Sequence, residues 1–311
     1  MTSSSSSLVV VCTGANSGLG FEFCKRLVST PPPPHAAGVS LVMACRSSAQ
    51  ASAARDALVQ LAVPGVQVDL VELDLAQFAS VRRCAALLAV LFAHIDVLLL
   101  NAGVMFHRRQ RTVDALDWTL QTNCFGHFLL ASLLRAQLDA APAARVVSVS
   151  SVTHWLCDDV PLDDLRLLTR TPDLVYKERV YCISKLLNLL FASELQRRLA
   201  RANSPCISVA CHPGWSTTML MEKPASESWW FWLVFRIGNP LFAQSAERGA
   251  VPLWEAAFGT DIGGGDYVGP DGCFFGLTGA NGVPAARSKL AHDAALAQRV
   301  FDECEKLVNL T

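Results

Sequence analysis

Tyr181 and Lys185 lie four residues apart in "YCISK", within a run that has helical periodicity. On a helix, positions i and i+4 share a face one turn apart, so the spacing sets an ammonium beside a phenol. Taken alone, such a pair more often decorates the surface of an amphipathic helix than performs chemistry. A second group points to phosphate binding. "TGANSGLG", Thr13 to Gly20, joins an apolar β-branched run to a helical one, with glycines spaced Gly-x3-Gly-x-Gly. Glycines there let the backbone turn tightly and approach a pyrophosphate, which then sits at the positive end of the following helix. Many isolated glycine clusters are only structural turns, but this one directly follows an N-terminal buried strand.

The elements that must position these residues alternate along the chain. "SLVVVCTG" reads as a buried strand and Leu19 to Val28 as a helix. "TPPPPHAAG" can be neither helix nor central strand and is a surface insertion. "VSLVMACR", "VQVDLVEL", "IDVLLLNAG", "ARVVSVSS" and "CISVACHPG" are the further strands. Helices are expected from Ala49 to Leu61, Phe78 to Phe92, Leu116 to Asp139 and Val180 to Ala202. Trp155 to Lys177 reads as a loop with one short helix. Beyond Trp215 the regularity fades until a helix from Ala246 to Ala257; "GDYVGPDGCFF" offers a last strand and Ser288 to Val308 a terminal helix. This alternation predicts an α/β fold, a single doubly wound (Rossmann) domain over residues 1–311, with a parallel sheet and helices on both faces. No internal repeat and no linker divides it.

Composition narrows the function classes. With 51% hydrophobic and 17% charged residues in 311, a large core and little disorder are expected. The 26 basic residues balance 27 acidic ones, so net charge gives no reason to expect nucleic acid or an anionic membrane as a partner. Seven histidines show no metal-ligand spacing, and no metal is expected. The eleven cysteines are odd in number and contain no CxxC pair. Cys12, Cys45 and Cys211 sit in apolar runs, where a thiol acts as a small hydrophobe, which fits a reducing, cytoplasmic location. "MTSSSSS" lacks the basic start and apolar stretch of a signal peptide. No segment reaches the roughly 18 uninterrupted apolar residues of a membrane span, so a soluble protein is expected.

With "NAG" (Asn101 to Gly103), "VSS" (Val149 to Ser151) and "YCISK", the glycine spacing resembles the short-chain dehydrogenase/reductase superfamily. The match runs in order from about Leu8 to Thr218 and is weakest at its end. "MACRS", "LDLAQFASVR", "TNCFGHFLL", "RVVSVSSVTH" and "CHPGW" are similar to the retinol-dehydrogenase-like branch, which includes relatives of protochlorophyllide reductase. "LNAGVM" and "TNCFGHF" are equally similar to the 3-keto-steroid reductases of sterol synthesis. The resemblance implies an oxidoreductase in which Tyr181 gives a proton to a substrate carbonyl as hydride arrives from the nicotinamide. It implies that Lys185 stabilises the phenolate, lowers its pKa from near 10 and hydrogen-bonds the nicotinamide ribose. Ser151 matches the substrate-orienting serine, at the strand's exit in an S-x-x-[GH] position, whereas Ser148 and Ser150 share a strand face. The 30 residues from Ser151 to Tyr181 exceed the spacing of compact family members and suit the retinol-dehydrogenase-like branch. Asn123 matches the helix asparagine that holds a water near the lysine; a buried hydrogen bond would also explain it.

For the cofactor, the resemblance assigns Gly14, Asn16, Ser17, Gly18, Leu19 and Gly20 to the pyrophosphate turn and Asp74 and Leu75 to the adenine. Pro213, Gly214 and Trp215 would form the turn beside the nicotinamide, with Thr217 near its carboxamide; Asn101, Ala102, Gly103, Tyr181 and Lys185 complete the contacts. An acid at the end of the second strand would select NAD, but "ACRS" places Arg46 there, and a guanidinium suits the 2′-phosphate of NADP(H). An exposed arginine opening a helix is the bland alternative. "ESWWFWLVFRIG", Glu227 to Gly238, falls in the variable substrate-lid region, about residues 215–245. Five aromatic residues in seven positions make either a core helix or a lid. A lid would suit an apolar carbonyl or alcohol of retinoid, steroid or lipid type, or a peripheral membrane contact. A homodimer stays open. The rival of another class is a non-catalytic NADP-binding sensor or scaffold; the intact set Asn123, Ser151, Tyr181 and Lys185 argues against it.

Overall fold

The computed structural model describes residues 7–105, 108–215, 244–272 and 279–309. Thr217 and the aromatic stretch Glu227 to Gly238 lie outside them, as does most of the expected lid region. Among the described residues, eight strands form one sheet: β1 (Leu8–Thr13), β2 (Val39–Cys45), β3 (Val66–Glu72), β4 (Val97–Leu100), β5 (Arg145–Val149), β6 (Ile207–Cys211), β7 (Tyr267–Pro270) and β8 (Gly282–Pro284). Their order is β3-β2-β1-β4-β5-β6-β7-β8. Strand β1 pairs in parallel with β2 through Leu8 and Val39, and with β4 through Val10 and Val97. The order therefore reverses beside β1, where a doubly wound sheet opens a crevice at the carboxyl ends of its strands. Of these eight strands only β8 runs antiparallel, as an edge strand on β7.

Alternation along the strands sorts side chains into two cores. Val9 and Val11 face one side, packed with helices α3 (Phe78–Leu91), α5 (Gly126–Leu133), α7 (Tyr176–Arg201) and α10 (Ala294–Leu307). Val10 and Cys12 face the other, with α1 (Gly18–Val28), α2 (Ala49–Leu61) and α9 (Val251–Phe258). Apolar on both faces, these strands are the continuous hydrophobic runs that a buried parallel sheet requires. The ten cysteines among the described residues are free and buried. No helix among those residues is long and apolar enough to cross a membrane.

Several elements differ from expectation, each for a local reason. The long helix from Leu116 to Asp139 is broken into α4 (Trp118–Leu120), a π turn (Gln121–Phe125), α5 and α6 (Arg135–Ala140). In the π turn the Gly126 amide donates to Gln121 O, five residues back. A Cβ on Gly126 would stand 2.5 Å from Leu75 O, so a glycine is needed where this helix meets the loop after β3. Helix α7 begins at Tyr176 rather than Val180, because the Tyr176 hydroxyl is buried against the Asp117 carboxylate that caps α4. The helix over 246–257 is split into α8 (Ala246–Gly249) and α9, and Pro252 stands in the first turn of α9, where its missing N–H costs nothing. The terminal helix starts only at Ala294, capped by Asp293, after a 3-10 turn over Leu290–His292. The loop after β5 holds three 3-10 turns (Val152–Leu156, Leu162–Asp164 and Asp173–Val175) instead of one helix.

The C-terminal helix is seated by Phe301, whose ring meets Phe128 at 4.8 Å and Phe191 at 5.9 Å, with the Arg198 guanidinium 3.9 Å above it. Truncating a buried aromatic of this kind costs about 3–5 kcal/mol. Phe301→Ala should therefore reduce the unfolding free energy read from urea melts by that amount, without changing the cofactor preference. A loss below about 1 kcal/mol would mean that α10 is not part of the cooperative core.

Candidate active site

A cleft of about 370 Å³ opens at the strand ends beside β1. It is lined by Gly14, Asn16, Ser17, Gly18, Leu19, Arg46, Asp74, Leu75, Asn101, Ala102, Gly103, Ser151, Tyr181, Lys185, Pro213 and Gly214. The sequence singled out all of these. Gly20 and Asn123 stand behind the wall and Trp215 is not on it, while Ala44, Cys45, Gln50, Leu73, Val104, Trp118, Thr122, Val149 and Ser150 line it without having been assigned to it.

The turn after β1 has two glycines in the left-handed region, Gly14 at φ 67° and Gly18 at φ 55°. At Gly14 a Cβ would also lie 2.9 Å from Ala102 Cα, so the backbone of this turn presses against the second wall. Gly20 matters for a different reason. A Cβ there would stand 2.5 Å from both Asn101 Nδ2 and Gly14 O, so its absence lets α1 pack closely. Ser17 precedes α1 but its side chain makes no cap, and the first turn holds no acid. Gly18 and Leu19, the first residues of this eleven-residue helix, line the cleft, a setting suited to pyrophosphate. Exposed Arg46, just past the end of β2, and exposed Gln50, in the first turn of α2, line the cleft with Asp74, whose Oδ1 accepts from the Ala76 amide at 3.0 Å.

Thr13 joins the two walls. Its Oγ1 accepts from the amides of Asn101 (2.9 Å) and Ala102 (3.0 Å) and meets His127 Nε2 at 2.9 Å. His127 Nδ1 is 3.2 Å from Asn123 O, which can only accept, so Nδ1 carries the proton and Nε2 takes the threonine hydroxyl. Burial drives the His127 pKa down to about 3, so the ring is neutral in this role. That Thr13 and His127 meet has no sequence signal, because the two are 114 residues apart.

Asn123 is fully buried on the π turn. Its Oδ1 accepts from Val104 N at 2.7 Å, and its Nδ2 donates to Val104 O at 2.9 Å and Ser184 Oγ at 3.0 Å. Ser184 in turn donates to Tyr181 O at 2.7 Å. Lys185, 4% exposed, donates from Nζ to Val149 O at 3.1 Å, and Asn188 Nδ2 shares that acceptor at 3.0 Å. Cys124 Sγ closes the network on Asn188 Oδ1 at 2.9 Å. Ser150 is engaged elsewhere, donating to Lys185 O at 2.7 Å. Ser151 Oγ accepts from the Thr153 amide at 3.2 Å, and its own proton is turned toward Tyr181 at the cleft.

The electrostatics depart from expectation. Burial pushes the Tyr181 phenol above its usual value; Cys182 adds to the rise, the Ser151 hydrogen bond opposes it, and Lys185 is not among the groups that move it. The Lys185 ammonium lies 5.5 Å from the Tyr181 ring centroid. Its own pKa is drawn down to about 8 by burial, against smaller upward pulls from Cys124 and Cys211.

A profile of the family described as short chain dehydrogenase matches residues 8–155, which includes the glycine turn, Asn123 and Ser151 but ends before Tyr181. The WW domain-containing oxidoreductase of Danio rerio is 33% identical over 304 residues, covering 96% of this chain and 68% of that protein. Retinol dehydrogenase 12 of Homo sapiens is 34% identical over 242 residues, 78% of this chain and 70% of that protein. The chain spans only 56% of the human WW domain-containing oxidoreductase. A crystal structure of an uncharacterized protein from Mycobacterium paratuberculosis superposes with a TM-score of 0.75 at 34% identity, covering 98% of this chain and 94% of that one.

The buried Lys185 should also be visible in stability. Its folded pKa of about 8 lies below the free value of 10.5, so between these values the unfolded chain binds more protons and stability rises with pH. Lys185→Met should therefore be more stable than the parent at pH 7, by about 1–3 kcal/mol, with the gap closing as pH climbs from 8 to 10.5. Urea melts at several pH values measure this. A variant that is less stable at every pH would show that the bond to Val149 outweighs the burial cost.

Proposed function

The chain belongs to the short-chain dehydrogenase/reductase family of oxidoreductases, and from that premise we propose that it is an NADP(H)-dependent enzyme acting on an apolar carbonyl or alcohol. One observation carries the reading: Ser151, Tyr181 and Lys185 line the same cleft as the glycine turn and Arg46. The open amides of α1 would hold the pyrophosphate, Asp74 and Leu75 the adenine, and Arg46 the 2′-phosphate. When bound, the nicotinamide supplies or accepts the hydride.

The protein's own part is orientation and proton transfer. The Tyr181 hydroxyl gives its proton to the substrate oxygen, and the Ser151 hydroxyl, its acceptor side engaged by Thr153, donates to that same oxygen. Lys185 uses one donor on Val149 O and keeps two for the ribose and for the proton relay. A lysine with pKa about 8 is poised to exchange a proton near neutrality. Asn123 holds the wall at Val104 against α7. The NADP(H) preference favours reduction as the physiological direction. The aromatic stretch Trp229 to Phe235 supports an apolar substrate and a peripheral membrane contact, and the buried thiols support a reducing compartment such as the cytoplasm. A purely cofactor-sensing protein is disfavoured, because the proton donor, the serine and the lysine face one cleft.

NADPH should bind more tightly than NADH, and Arg46→Ala should remove much of the difference. A charge-assisted bond is worth about 1.5–3 kcal/mol, roughly ten- to a hundredfold in affinity. Fluorescence titration with both cofactors measures this, and equal affinity in the unmutated protein would refute the assignment.

A screen of retinal, steroid ketones and small aldehydes with NADPH identifies the substrate class. On any substrate found, Tyr181→Phe should keep its fold and NADPH affinity while turnover falls by a factor of about a hundred or more. Near-normal turnover in that variant would mean another group gives the proton.

A further inference from the structure

We propose that His154 is a positioning residue for the reaction: its imidazole fixes the backbone of Ser151, and so aims the hydroxyl that orients the substrate, while tying that backbone to the C-terminal segment at Ser288. The proposal rests on the reading of Ser151 given above.

His154 is fully buried in the 3-10 turn that begins immediately after Ser151. Its Nδ1 lies 2.7 Å from Ser151 O, which also receives the His154 amide at 3.2 Å. On the other side, the Ser288 amide lies 3.2 Å from Nε2. A carbonyl only accepts and an amide only donates, so both partners demand one tautomer, with the proton on Nδ1 and the lone pair on Nε2. Burial holds the His154 pKa below its usual value, which keeps the ring neutral as this geometry requires. The ring is further held edge-on against Tyr267, with centroids 5.6 Å apart and planes at 88°.

The consequence falls on one side chain. Ser151 has an extended backbone at φ −157° and ψ 155°, and its Oγ accepts from the Thr153 amide inside the same short turn. The direction of the hydroxyl therefore depends on the placement of a five-residue turn, and His154 is the buried group that clamps its first carbonyl. Ser288 sits 134 residues away in sequence, on the segment leading to α10, so the clamp takes its rigidity from outside the turn. A shift of about 1 Å in a positioning group costs on the order of a hundredfold in rate.

Because the two ring nitrogens have separate partners, two substitutions separate their roles. An asparagine amide can stand where Nδ1 stands and donate to Ser151 O. A glutamine amide reaches the position of Nε2 and can accept from Ser288 N, but loses the bond to Ser151. In the full chain with NADPH and a carbonyl substrate, His154→Asn should keep kcat near the parent value. His154→Gln should lose about ten- to a hundredfold in kcat with NADPH affinity unchanged. A substrate-independent readout runs beside it. The chain has three tyrosines, so the 13Cζ resonance of Tyr181 can be assigned with Tyr181→Phe. That resonance should move in His154→Gln as it does in Ser151→Ala, and stay in place in His154→Asn. Two results would overturn the proposal: both His154 variants losing kcat in step with melting temperature, or His154→Gln keeping parent kcat and an unmoved Tyr181 resonance. Ser151→Ala separates the levels. If it retains turnover, the reading of Ser151 is wrong and the proposal falls with it; if it loses turnover while His154→Gln does not, only the role of His154 is wrong.

Discussion

An ammonium placed in a protein interior must be given acceptors or lose its charge, and the arrangement around Lys185 follows from that requirement. The acceptor is Val149 O, at the last residue of β5, and it is shared with Asn188 one turn further along α7. Asn188 is held in turn by Cys124, and Asn123, next to Cys124, reaches across to Ser184 and Val104. Three elements far apart in sequence are thus locked at one point: the π turn, the end of β5 and the middle of α7. The π turn is intelligible in these terms. An uninterrupted helix would not present both Asn123 and Cys124 to α7 while freeing Asn123 O for His127, and π turns are common at functional sites for this kind of reason.

Three buried histidines serve the same site, two of them as bridges. His127 links Thr13 to Asn123 O, His154 links Ser151 O to the Ser288 amide, and His212 accepts the Gly214 amide at 3.2 Å beside the cofactor turn. Burial lowers all three, His127 to about 3 and His212 to about 4, so each works as a neutral ring. A neutral imidazole offers one donor and one acceptor on opposite edges. That makes it a rigid bridge, from the Thr13 hydroxyl to a backbone carbonyl at His127 and between two backbone groups at His154. His154 and His212 both rest on Tyr267 of β7, with centroids at 5.6 and 5.0 Å. Through that ring β7 supports the turn that carries Ser151 and the turn at Gly214 together.

Much was legible from residue order alone, because the causes are local. Apolar β-branched runs specify buried strands, the Gly-x3-Gly-x-Gly spacing marks a turn whose backbone enters the left-handed region, and Tyr181 and Lys185 share a helix face by periodicity. Fold class, the order of the elements and most of the cleft's lining depend on nothing more. What only the tertiary structure decided depends on groups that meet across the chain. It set Gly20 and Asn123 behind the cleft wall rather than on it, and it broke the helix at Asn123. It also gave Thr13, His127 and His154, which the motifs contain but to which no role was assigned, their places in the site. It reversed the expected electrostatics as well: spacing sets an ammonium beside a phenol, but the sign of each pKa shift depends on how much water the fold removes. Around Tyr181 and Lys185, burial is the larger effect.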